Sequence, residues 1–102
     1  MLQAILAAIG AAIIGVAVIH LVLITMAIIV EWFIERKYII TSNPDHIAFT
    51  LKDNLESGNY RVVQGIFDKG NSTVKETRVM EAKDLDEDVK KSHDKDTLIL
   101  YE

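Results

Sequence analysis

Three groups of residues in this chain of 102 have the types and spacing of chemistry. Asp84, Asp86 and Asp88 repeat the alternate-acid opening of a calcium loop. That loop needs glycine at its sixth position and glutamate at its twelfth, where this chain has Val89 and Lys95, so the acids are read as a helix N-terminus favoured by the macrodipole. His46 and His93 each adjoin an aspartate, Asp45 and Asp94. Two imidazoles without a third placed ligand do not complete a zinc set, and both are read as surface residues at helix ends. Gly65 and Gly70 flank a strand end, not the helix start that a phosphate cradle or nucleophile elbow requires. No catalytic, cofactor-binding or metal residue is assigned, and a non-enzymatic protein without cofactor is expected.

The third group is His20, Thr25 and Glu31, polar positions in or beside an otherwise apolar stretch. Their setting is the dominant feature of the chain. The first thirty residues contain no Asp, Glu, Lys or Arg, and all twenty-six charged residues follow. Residues 4–30 exceed the ~20 apolar residues that cross a bilayer and would extend roughly 40 Å as a helix. The run lacks the basic start and the small-residue cleavage site of a signal peptide. The expectation is a single transmembrane helix over residues 1–38, retained in the mature protein.

Within that helix Ala4, Ala7, Ala8, Ala11, Ala12 and Gly15 recur at a spacing of four, the small-residue pattern that lets helices approach closely in lipid. His20 would sit near mid-membrane, in line with Glu31 and facing protein, as a neutral packing contact or as part of a proton or ion path. Trp32, Phe33 and Tyr38 are read as an interfacial aromatic belt. Arg36 and Lys37 place the C-terminal side in the cytoplasm and the N-terminus outside.

Residues 39–43 are read as a linker and residues 44–102 as a small cytoplasmic α+β domain. Asn43-Pro44-Asp45 resembles a helix start, Ile47, Ala48, Leu51 and Leu55 supply a buried stripe, and Gly58 a C-cap. Residues 60–67 and 72–82 read as a hairpin with Gly70 at the positive-φ position. A short helix capped by Asp84 and a last strand over residues 97–101 complete an α-β-β-α-β order, with a three-stranded antiparallel sheet in the order 2-1-3. Two helices on one face would leave Val63, Phe67, Leu98 and Leu100 uncovered as a subunit interface.

From residue 41 onward there are nine basic and thirteen acidic residues, which argues against nucleic acid as a partner. With no cysteine, disulfides and thiolate sites are excluded. Asn71-Ser72-Thr73 matches a glycosylation acceptor, usable only in a secretory lumen. The resulting expectation is a self-associating scaffold or accessory subunit of a membrane assembly, its partners the lipid bilayer and a homo-oligomer or larger complex. The alternatives are a holin-like pore with His20 in its path, and a membrane-tethered module that recruits a soluble partner.

Overall fold

A computed structural model describes residues 2–101. The elements run α1 (Leu2–Ala12), β1 (Val18–Ile24), α2 (Met26–Glu35), α3 (Lys37–Thr41), β2 (His46–Asn54), β3 (Tyr60–Asp68), β4 (Thr73–Leu85), α4 (Glu87–Ser92) and β5 (Leu98–Tyr101). The strands form one mixed sheet in the order β1-β4-β3-β2-β5. Only the β1–β4 pair is parallel.

This corrects the expectation of a transmembrane helix followed by a three-stranded domain in the order 2-1-3. Among the described residues no helix is long and apolar enough to cross a membrane. The uncharged run is divided among three elements. Alanine favours helix in α1, Gly15 then adopts φ +80°, a conformation costly for any residue with a Cβ, and the chain turns. Beyond the turn, Val18, Ile19, Val22 and Ile24 are β-branched and suit a strand. Thr25 ends that strand and starts α2, its hydroxyl accepting from the Ile28 N–H at 3.2 Å.

Both faces of the sheet are covered, which accounts for so much apolar sequence in a small domain. On one face Ile5 and Ile9 of α1 pack with Ile47, Phe49, Val63, Phe67 and Val79, all buried. On the other, Ile29 of α2 and Val89 of α4 pack with Val62, Met80, Ala82 and Leu85. Polar stitches fix the second layer. Gln64, fully buried, donates to the Ile29 carbonyl at 2.6 Å and accepts from Arg78 Nε at 2.8 Å, while Arg78 also donates to the Ile28 carbonyl. Asp86 receives the Met26 N–H of α2 on one oxygen and the Val89 N–H of α4 on the other, so one carboxylate caps two helices.

The segment expected to be a helix from Pro44 is strand β2. The Asn43 side chain accepts from the Asp45 N–H at 2.9 Å, closing a turn instead of a helix. Gly58, at φ +90°, lies in the β2–β3 hairpin. In the β3–β4 turn the positive φ falls on Ser72, at 56°, and not on Gly70. The cap of α4 is Asp86 and not Asp84. The last strand pairs with β2, not with β3.

Candidate functional site

The residues singled out by the sequence are scattered over the fold. On α1, Ala4, Ala7 and Ala11 are exposed, Ala8 and Ala12 are half-buried, and Ile5 and Ile9 make the contact with the sheet. Gly15 forms the turn before β1. His20 is exposed on β1, in register with Glu81; Thr25 caps α2; Glu31 is exposed on α2. The structure does not bring these three together into a path.

The residues read as a headgroup belt have other surroundings. Trp32 is buried, with the Arg36 guanidinium 4.0 Å and the Arg78 guanidinium 5.5 Å from its ring centre. Arg36 also donates to Glu76 at 2.9 Å. Phe33 is half-buried against Tyr101, while Lys37 and Tyr38 are exposed. Burial, foremost, and the nearby Arg36 charge lower the pKa of Arg78, against the pull of Glu35 and Glu31. The apolar face expected to stay open is covered: Val63 and Phe67 are buried beneath α1, and Leu98 and Leu100 are partly buried beside them.

One polar constellation joins residues too far apart in the sequence for any local motif to show it. Thr50 Oγ1 lies 2.9 Å from His93 Nε2 and 2.7 Å from the Tyr101 hydroxyl, and His93 Nδ1 lies 2.9 Å from the Asp96 carbonyl oxygen. A carbonyl only accepts, so Nδ1 carries the proton. The neutral ring then accepts at Nε2 from Thr50, whose oxygen accepts from Tyr101. A hydroxyl on an oriented imidazole is the arrangement of an activated nucleophile, but Thr50 is fully enclosed and His93 nearly so. The chain of bonds ties β2, β5 and the end of α4 together. His46, at the start of β2, likewise faces inward, with Nδ1 2.8 Å from the Ile39 carbonyl oxygen and Nε2 3.5 Å from an Asp68 oxygen. Neither histidine is the surface residue the sequence suggested.

Desolvation holds the His93 pKa below its ordinary value of 6.5, despite the Asp96 carbonyl, and burial pushes the Tyr101 phenol up. With the folded His93 pKa depressed, the unfolded chain binds the extra proton first as pH falls through about 6.5. Stability is therefore lost on acidification through that region and retained above it. Thermal unfolding from about pH 7.5 to 5.5 is expected to show a falling midpoint, with a shallower fall in His93→Gln. Equal slopes for the two proteins would contradict this reading of the buried imidazole.

The most conspicuous surface feature is apolar. All nine large hydrophobic residues exposed among the described residues, from Leu2 to Tyr38, lie before residue 39. Three of them, Ile19, Val22 and Leu23, lie on β1, an edge strand partnered only by β4. Val22 is 77% exposed. The second apolar feature is a groove of about 340 Å³ between α2, α3 and the β2–β5 margin. Among the described residues, no group of three or more His, Asp or Glu side chains is placed to hold a metal ion. Comparison of the chain with protein families, curated proteins and solved structures yields no match.

Proposed function

We propose that this chain is a non-enzymatic assembly module, a self-associating scaffold or accessory subunit whose copies join through the open edge of β1. The observation that supports the reading is the composition and position of that strand. Val-Ile-His-Leu-Val-Leu-Ile carries no Lys, Arg, Asp, Glu or Pro, and it occupies one margin of the sheet. Natural edge strands are ordinarily protected by charge, proline or extreme shortness, because their outward N–H and C=O groups accept another strand. β1 has none of these protections over seven residues.

A second copy meets the requirement with the same surface. Two-fold pairing sets one β1 against another, satisfies the outward backbone groups of both, and brings two uncharged strands together without like-charge repulsion. It also shields Ile19, Val22 and Leu23 from water.

Light scattering after size exclusion tests the proposal. The expected mass is about twice the 11.4 kDa of one chain. Val22→Lys places an ammonium on an exposed site, which alters the stability of one copy by no more than about 0.5 kcal/mol. It is expected to weaken association by at least about tenfold, or ~1.4 kcal/mol. A wild-type chain that stays at the single-copy mass, or a Val22→Lys chain that associates like wild type, would overturn the proposal.

A further inference from the structure

The groove on the α2 side of the sheet is distant in the strand order from β1 and raises a separate question. Its floor is Ile29 and Ala48, both buried. Its walls include the Phe33 and Tyr101 rings, 5.6 Å apart between centres and tilted by 56°. Val30 and Ile34, 45% and 66% exposed, form the α2 rim. The Tyr101 hydroxyl is already engaged by Thr50, so this ring presents its apolar body.

Charge gives the groove a direction. Among the residues lining it Lys37 alone is charged, although the chain as a whole carries a net −4. Lys37 forms no ion pair among the described residues. The acids of α2, Glu31 and Glu35, do not line the groove: Glu35 contacts Arg36, and both act on Arg78. An apolar trough with one ammonium at its margin, in an acidic protein, is complementary to a molecule with one anionic head and one apolar tail. The volume is at the small end of ligand pockets and suits one chain rather than two.

We propose that this groove binds a single-chain fatty carboxylate, its tail lying between α2 and the β2–β5 margin and its head on Lys37. Each buried methylene should tighten binding by about fourfold until the trough is full. The carboxylate adds a smaller, salt-sensitive contribution, because Lys37 is exposed.

Calorimetric titration of the full chain with octanoate, decanoate and dodecanoate below their micellar concentrations is the test. The expected result is saturable binding of one molecule per chain, tightening with each pair of added carbons. Lys37→Glu should weaken dodecanoate by at least about fivefold and leave dodecanol unchanged, with Lys37→Met intermediate. Both substitutions fall on an exposed side chain, and circular dichroism checks that the fold is retained. No saturable binding, equal affinity across chain lengths, or equal binding of dodecyltrimethylammonium would overturn the proposal. So would binding to anionic phospholipid vesicles with none to the free carboxylates.

Discussion

Ile9→Asp is expected to unfold the entire chain, whereas Ala7→Asp two residues earlier is expected to leave it folded. Ile9 is 1% exposed and packs in the same cluster as Phe49, Val63 and Phe67 of the central strands. Removing it forfeits about 2–5 kcal/mol of packing, by analogy with large-to-small core substitutions. Enclosing an unpaired carboxylate costs several kcal/mol more. A domain of this size has only about 5–15 kcal/mol to lose. Ala7 points to solvent on the same helix, so an aspartate there changes stability by about 0.5 kcal/mol or less. Urea unfolding followed by circular dichroism measures both. In a lipid-embedded helix the two aspartates would be comparably costly, so a large difference between them supports α1 as one layer of the fold.

Gly65→Ala should destabilise the protein by about 1–3 kcal/mol, although the substitution adds a single methyl group. Gly65 lies on β3 between Phe49 of β2 and Thr77 of β4. A Cβ built there would stand 2.6 Å from Phe49 Cζ and 2.7 Å from the Glu76 carbonyl oxygen. The ring could turn aside only into a filled core, and the carbonyl belongs to β4, whose ladder would have to part. The Phe49 side chain covers the space that the glycine leaves, the way aromatic residues shield glycines in sheets. A midpoint in urea equal to wild type would show that the β3–β4 pair is looser than described.

Parts of this architecture are legible in the sequence for identifiable reasons. β3 and β4 combine β-branched and aromatic residues with a polar turn, α4 follows an aspartate, and β5 is a compact apolar run. These signals are local. The rest was hidden because two structural solutions share the same signs. An uncharged stretch without breaks beyond Gly10 and Gly15 fits a bilayer, yet it also fits two helices on opposite faces of a sheet with an edge strand between them in the chain.

β2 was obscured in the same way. Ile47, Ala48, Phe49 and Thr50 are all buried, so the strand shows no alternation, and the spacing of Ile47, Leu51 and Leu55 imitates a helical stripe. Gly58 at positive φ serves a helix end and a hairpin turn equally well. Once β2 is taken for a helix, Thr50 has no visible route to His93 and Tyr101, which lie more than forty residues away in the chain. The groove is equally invisible, because Met26, Phe33, Ala48 and Tyr101 meet only through the sheet order. What the apolar run does foreshadow is the concentration of exposed hydrophobic surface before residue 39.

The whole architecture depends on residues 18–24 forming an edge strand beside β4 and not the middle of a long helix. Nuclear Overhauser contacts in the isotope-labelled full chain measure this directly. Strands lie about 4.8 Å apart, so cross-strand contacts are expected between Val18 and Val79 and between Leu21 and Ala82, the pairs in register. Unbroken sequential amide–amide contacts from residue 4 to residue 30, with none to β4, would contradict it.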